Sequence, residues 1–391
     1  MDTPAPAGSA PLPAPRPAPA PDAGALVLGL DVGGTKLATG VVRGDGAVLS
    51  RIVEPSRASE GPGAMIARHL DMGRRAVEAS GVEWSSIAAV GIACGGPLDP
   101  LLGIIQSPLS LPGWDDLPLT TMVADALDRP AVVDNDATAG ALAEWWFGAG
   151  RSRNVRSLVY LTISTGVGGG LVLDGRVYRG AALNAGELGH LTIDYRGRTC
   201  ACGRRGCVEA YCSGTNIATR AREALLAGEP SSLGSAEPVT ARDVAEHAAS
   251  GDPLAHRIWD ETTEMLGSAV ANILDAFNPE LVVLGGGVTR AGAQLLDPVR
   301  EIGLRLAMPP ARATADVVLA ELGDDLGIVS AAAVAFERVP EAGGRPLDGE
   351  RIARPTAGAD AAPQAGANAR PNAGVGAGPD AGPRPAGIAA S

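Results

Sequence analysis

Two hairpin-like stretches limit the fold of this chain more than any other feature. In the first, the apolar run LVLGLD (26–31) meets Gly33-Gly34-Thr35 and resumes from Leu37 to Val42. In the second, VYLTIS (159–164) meets Thr165-Gly166-Val167-Gly168-Gly169-Gly170 and continues as LVL. Each reads as a strand, a tight glycine turn and a returning strand. Their recurrence about 130 residues apart predicts two domains of related topology facing each other. Such turns need glycine because the backbone must approach a partner closely and adopt a positive φ. Successive N–H groups then form an anion-binding nest, to which Thr35 and Thr165 add hydroxyl donors. One such loop from each domain could grip the phosphates of a nucleotide from both sides. A single glycine turn would mean little, since ordinary hairpins have them.

The basic residues sharpen this reading. Of 32, 31 are Arg and one is Lys, and that one is Lys36, inside LGLDVGGTK. Chance retention is the plain alternative, but a compact ammonium beside a phosphate-type loop favours function. Asp31, which ends the first strand, could be an outer-sphere partner for a nucleotide-bound Mg²⁺ or a turn Asp bonding its own backbone.

Between and after the hairpins the pattern alternates, which predicts an α/β fold. Residues 63–79, 137–147 and 253–277 suit helices, the last ended by Asn278-Pro279. Thr240 and Asp243 form a capping-box-like start for 240–248. Ile87–Ala93, Ala131–Asp134 and Leu281–Leu284 suit buried strands, the last running into Gly285-Gly286-Gly287, where a nucleotide's flat or sugar part could lie. Asp324-Asp325 could cap a final helix of small residues, and Trp145, Trp146 and Phe147 read as core or interface aromatics. Val133-Asp134-Asn135-Asp136 marks a strand end entering a helix, the usual ligand side of an α/β sheet. A carboxylate there could accept the proton of a substrate hydroxyl attacking a phosphorus. Equally, Asn135 or Asp136 could only cap the helix.

His190, Cys200, Cys202 and Cys207 fall within HLTIDYRGRTCACGRRGCVE, bracketed by Glu187 and Glu209. Such a set suits tetrahedral Zn²⁺. Disulfides are the alternative, but 200 and 202 sit too close to pair comfortably, and no signal-peptide-like start supports an oxidising compartment. Cys94 and Cys212 read as small buried residues.

Composition sets the remaining limits. Residues 1–24 and 340–391 hold 16 of the 31 prolines and no aromatic residue, so both read as solvated tails that cannot bury a core. A net charge of −12 argues against a nucleic-acid or anionic-membrane partner. The longest apolar runs fall well short of the roughly 20 residues that cross a bilayer, and a cytoplasmic setting is expected.

Taken in order, DVGGTK, NDA, STGVGGG, GELGH, CxCGxxGCxE and LGGGV resemble the ROK family of sugar kinases and sugar-responsive repressors, over roughly residues 26–337. The resemblance implies an actin/hexokinase-like fold with a central cleft. It implies an N-terminal domain of 25–137 joined by a returning helix at about 324–337, and a larger domain of 138–323. ATP phosphates would lie between Gly33, Gly34, Thr35, Lys36 and Thr165, Gly166, Gly168, with adenosine near Gly285 and Gly286. Asp136 matches the catalytic base and Asn135, Glu187, His190 and Glu209 the sugar contacts, His190 serving also as zinc ligand. A homodimer is implied too. Repressors of the family carry a DNA-binding helix pair ahead of the first glycine loop, whereas the first 24 residues here are proline-rich. A kinase acting on the 6-hydroxyl of a hexose is therefore expected, glucose first and N-acetylhexosamines next. Two positions depart: Thr138 stands where the family's NDAN motif ends in Asn, and Ser110 where members usually have Asn.

Overall fold

The computed structural model describes residues 20–108, 111–235 and 238–355. Ser110 lies outside the described residues. The first lobe runs through β1 (Leu26–Val32), β2 (Lys36–Arg43), β3 (Ile52–Pro55), α1 (Pro62–Ser80), β4 (Ile87–Cys94), the short strands β5 (Leu98–Asp99) and β6 (Ile104–Ile105), α2 (Leu119–Leu127), β7 (Ala131–Asn135), α3 (Asp136–Phe147) and α4 (Ala149–Arg153). The second runs through β8 (Leu158–Ile163), β9 (Val167–Leu173), β10 (Arg176–Val177), α5 (Glu209–Cys212), α6 (Gly214–Leu226), α7 (Ala241–Ala249), α8 (Pro253–Phe277), β11 (Leu281–Gly285), α9 (Ala293–Leu306), α10 (Pro309–Thr314) and β12 (Asp316–Leu319). Helix α11 (Leu326–Arg338) then returns to the first sheet.

The expected kinship of the halves is visible in the sheets. One is ordered β3-β2-β1-β4-β7 and the other β10-β9-β8-β11-β12. In each, an antiparallel three-strand meander is followed by two parallel strands. The parallel strands β4 and β11 are nearly continuous apolar runs, as strands covered on both faces must be. In the first sheet Val32 pairs with Cys94 and Cys94 with Asn135, so three strand ends are level and Asn135-Asp136 emerges among them.

Two helices lie between the sheets and share one core with both. Helix α11 seats on the first sheet through glycine: a Cβ at Gly91 would fall 1.9 Å from the Ala331 carbonyl oxygen, and one at Gly29 2.4 Å from that of Ile328. Helix α3 seats on the second sheet in the same manner, a Cβ at Gly170 meeting the Ala137 carbonyl oxygen at 2.2 Å. Their shared core includes Val27, Ala89, Leu158, Val172, Trp145, Trp146 and Phe336, which places the expected aromatics inside. The buried Glu144 clamps the two crossovers: its carboxylate accepts the N–H groups of Ala149 (2.8 Å), Glu321 (3.2 Å) and Leu322 (3.0 Å). A buried carboxylate is tolerated because several donors satisfy it.

Three expectations change. Asp324 and Asp325 do not cap α11. A 3-10 turn (Gly323–Asp325) leads into the helix with Asp325 itself in the helical region, so its side chain cannot fold back on free N–H groups. Instead Asp324 pairs with Arg290 and Asp325 with Arg51. The solvated tail expected from residue 340 fails over 340–355. Its backbone bonds Arg345 N–H to Glu337 O (2.8 Å) and offers Ala353 O to Ala131 N–H (2.9 Å), extending the edge of β7. The boundary expected between 137 and 138 falls within the first turn of α3. All five cysteines are unpaired, with Cys94 and Cys212 buried as expected. Among the described residues no helix is long and apolar enough to cross a membrane.

Candidate active site

The N-terminus of α3 is the centre of the site. Asn135 is in the extended conformation of an N-cap, and its Oδ1 accepts the N–H groups of Ala137 (3.0 Å) and Thr138 (3.2 Å). Capping therefore falls to Asn135. That leaves Asp136, whose Oδ1 takes only the N–H of Ala137 (2.8 Å), open to the cleft. Asp136 is exposed to solvent at its surface, yet its carboxylate is largely enclosed by neighbouring protein atoms. This enclosure pushes its pKa up, the Ala137 N–H opposes the shift, and the nearby charge of Glu187 adds to it. Thr138 is buried in the same helical turn.

The two glycine turns approach this helix end from either lobe. Asp31 is raised to about 6, by burial first, against the pull of Lys36 and with the push of Asp136. Lys36 itself is exposed at the start of β2, next to exposed Thr35. On the other side a Cβ at Gly168 would lie 3.1 Å from the Ala137 Cβ. Contrary to expectation, Gly33, Gly34, Gly166 and Gly168 all lie outside the left-handed region. Space is what demands glycine: a Cβ at Gly33 would sit 2.8 Å from the Lys36 carbonyl oxygen, and one at Gly166 2.7 Å from Glu209 Oε2. The positive φ occurs at Gly286 (90°), where the backbone of the third loop presses on Ile163 beside the second turn.

The loop between β10 and α5 brings the candidate ligands together. One nitrogen of His190 and the sulfurs of Cys200, Cys202 and Cys207 all lie within 4.8 Å of one another. His190 Nδ1 is 3.7 Å from Cys200 Sγ, and Cys202 Sγ is 3.7 Å from Cys207 Sγ. A tetrahedral ion with bonds of about 2.3 Å has edges of about 3.8 Å, so the donor set fits Zn²⁺. The other ring nitrogen, Nε2, is 4.0 Å from Glu187 Oε2. Glu209 faces both ways: Oε1 is 3.8 Å from Cys200 Sγ, while Oε2 accepts the N–H of Val167 (2.9 Å) in the second glycine turn. The metal-type loop and that turn are thus joined by one carboxylate.

The chain as a whole has relatives among known proteins. The ROK family model matches residues 27–338. The chain belongs to the ROK family. It is 36% identical over 317 residues to the glucokinase of Thermotoga maritima, covering 80% of this chain and 98% of that protein. It is 34% identical over 314 residues to the N-acetylmannosamine kinase of Citrobacter koseri, covering 79% and 98%. Among solved structures, a ROK family glucokinase from Streptomyces griseus in complex with glucose and AMPPNP superposes with a TM-score of 0.67 at 31% identity, covering 78% of this chain and 98% of that one. The fold is the actin/hexokinase-like fold expected of a ROK protein.

Some residues around the ROK site carry no signal in the sequence analysis. Asp134, Arg179, Glu337, Arg338 and Glu350 form a connected ion network behind Asn135-Asp136. Cys94, level with Asn135, is pushed well up by burial and by the charges of Asp136 and Asp31, so it is a neutral thiol under the site. Asn216 Nδ2 donates to the Glu209 carbonyl (3.0 Å) and steadies the residue that joins loop and turn. Arg179 was findable in principle, being an Arg between the second hairpin and GELGH in the sequence.

Proposed function

We propose that the protein is an ATP-dependent hexose kinase that phosphorylates a sugar 6-hydroxyl, with glucose as substrate. The observation that carries this reading is Asp136: a carboxylate freed from capping, at the N-terminus of α3, with Glu187 near it and a glycine turn on either side. The likeness to glucokinases from Thermotoga maritima and Streptomyces griseus supports the same choice.

In this reading Asn135, Glu187, His190 and Glu209 hold the ring hydroxyls. Asp136 accepts the proton of the 6-hydroxyl as that oxygen bonds to the γ-phosphorus, and the β–γ bridging oxygen leaves with its electron pair on ADP. A raised pKa suits a base that must release the proton again near neutrality. Thr35, Lys36 and backbone N–H groups of the turns Gly33–Lys36 and Thr165–Gly168 hold the phosphates, with Gly285 and Gly286 beside the adenosine. Nucleotide-bound Mg²⁺ would offset charge on the γ-phosphate, with Asp31 as its outer-sphere partner. Zn²⁺ on His190, Cys200, Cys202 and Cys207 would lock the loop that carries Glu187 and Glu209, leaving His190 Nε2 free for sugar. Closure of the cleft would exclude water from the phosphoryl group. We further propose a homodimer, as the resemblance implies, in the cytoplasmic setting that the composition favours.

N-acetylmannosamine or N-acetylglucosamine is the second substrate reading, favoured by the Citrobacter koseri relative. Release of ADP from Mg-ATP is measured across glucose, mannose, fructose, N-acetylglucosamine and N-acetylmannosamine. Glucose is expected to stand out by 10²-fold or more in kcat/KM. Another sugar standing out overturns the substrate. No turnover with any sugar, alongside a sugar-induced rise in thermal stability, would mark a sugar sensor on a kinase scaffold and overturn the kinase.

A further inference from the structure

We infer that residues 344–353, beyond the segment that matches the family, form a strap whose Glu350 keeps the catalytic strand end in register by neutralising Arg338. The family match ends at Arg338, yet the chain continues back across the first lobe. The strap is anchored at Arg345 N–H on Glu337 O (2.8 Å), Arg351 N–H on Leu101 O (3.2 Å) and Ala353 O on Ala131 N–H (2.9 Å). Glu350 reaches inward from it and is 1% exposed at its side chain; Arg338 is fully buried.

Every arm of the Arg338 guanidinium is used. Nε and Nη2 bond Glu350, the former at 2.9 Å. Nη1 donates to Val133 O (2.7 Å) and Nη2 to Pro100 O (2.7 Å). Nη1 also lies 3.5 Å from Asp134 Oδ2, an oxygen held closer by Arg179, at 2.9 Å from Nε and 2.8 Å from Nη2. Arg179 in turn is paired with Glu337. The other oxygen of Asp134 accepts the N–H of Asn135 at 2.9 Å. Asn135 caps the helix that begins with Asp136. Two buried carboxylates, the partly buried Glu337 and two guanidinium groups therefore form one network between the strap and the catalytic residue, with Asp134 shared between the two cations.

The order of these distances gives the strap its role. With Glu350 ionised, Arg338 is neutralised locally and Asp134 stays with Arg179 and with the Asn135 N–H. Without that charge, the buried guanidinium keeps only its long contact to Asp134 as counter-charge, which is strongly unfavourable, and Asp134 is the carboxylate it draws closer. The shift pulls on the residue next to Asn135-Asp136. Misplacement of a reacting group by about 1 Å can cost 10²-fold in rate. Glu350 is thus a positioning residue that acts on turnover through the Asn135-Asp136 strand end and leaves the nucleotide contacts in place.

The test rests on the kinase reading only for its rate measurements, because the wild-type turnover checks that reading separately. Glu350→Gln is compared with wild type at saturating sugar and Mg-ATP, as kcat per folded protein. A fall in kcat of about 10-fold or more is expected, with the KM for ATP within about twofold. Adding Arg338→Met to Glu350→Gln removes the orphaned cation and is expected to recover several-fold of the lost kcat, a non-additivity that only coupled residues show. Amide exchange over 133–138 reads the same contact without turnover and is expected to quicken in Glu350→Gln. Unchanged kcat in folded Glu350→Gln, equal losses in single and double variants, or unchanged exchange at 133–138 each overturn the strap. If Glu350→Gln does not fold, Glu350→Asp, which keeps the charge but shortens its reach, is judged by the same exchange measurement.

Discussion

The two glycine turns share a scaffold and differ in what holds them. The first, Gly33–Lys36, closes on its own hairpin bond (Gly33 N–H to Lys36 O, 3.1 Å) and leans on Ser56, whose N–H and hydroxyl bond Thr35 O and Gly34 O. The second closes with Ser164 N–H on Gly166 O (2.9 Å), then takes Glu209 on its Val167 amide and Gly214 N–H on Ser164 O. Charge is divided in the opposite sense. Asp31 and Lys36 flank the first turn, while the second has only Thr165 as a polar side chain between Ser164 and the strand. One half supplies charge on a turn independent of the metal-type loop. The other supplies an uncharged turn tied through Glu209 to the loop that carries the proposed sugar contacts. Nucleotide and sugar binding should therefore be coupled through the second turn and not through the first.

Three variants break or sharpen that contrast. The largest effect is expected at the residue both turns serve: Asp136→Asn should lower kcat by about 10²–10⁴-fold, the usual range for a general base. Unchanged turnover in folded protein would remove Asp136 from the mechanism. Next, Cys202→Ser should release zinc and weaken sugar binding by about tenfold or more. Because Glu209 also holds the Val167 amide, the KM for ATP should rise with it. Metal content and calorimetry read both, and normal sugar affinity in metal-free protein refutes the link. Smaller still, Lys36→Met should raise the KM for ATP by about tenfold through loss of a point charge, with sugar affinity within about twofold. Equal losses in both affinities would mean that the first turn is coupled after all.

Lys36 also offers a pH signature. It lowers the pKa of Asp31, which burial and Asp136 raise to about 6. The acid side of the kcat/KM profile for ATP is expected near that value, as an apparent pKa of the interacting carboxylates. In Lys36→Met the profile should move to higher pH. A limb that stays put or moves down would separate Asp31 from the titration.

What the sequence made legible was local. Strand–glycine–strand patterns, an Asn-Asp pair at a strand end and four ligands within eighteen residues announce themselves by spacing, because neighbours in the chain do the work together. The network behind the site does not. Arg338 reads as an ordinary charged end to a helix of small residues, and Glu350 stands in a stretch whose proline, glycine and alanine content resembles a tail. Arg338 meets Asp134 across 204 residues of sequence, and no periodicity marks such a pair. Positive φ in the phosphate-type turns was also misread from composition. Crowding by Lys36 and Glu209 explains Gly33 and Gly166, and only coordinates separate the two causes.

The smallest effect concerns stability and tests whether the first turn holds its charge at a cost. Asp31 has its folded-state pKa raised from 3.8 to about 6 by burial. A carboxyl that binds its proton more tightly when folded favours the folded state where it is protonated, so stability falls as pH rises from about 4 to 6 and stays lower above that. In nucleotide-free protein at pH 7.5, Asp31→Asn is therefore expected to raise Tm by a few degrees, since the amide carries no charge to bury. The advantage should shrink below pH 5, where the wild-type carboxyl is protonated. A Tm difference that is absent at pH 7.5, or that grows on acidification, would mean that the charge is not held under strain. The expected trade, a more stable protein that uses Mg-ATP less well, would place the strain at the turn that carries the charge and not at its uncharged twin.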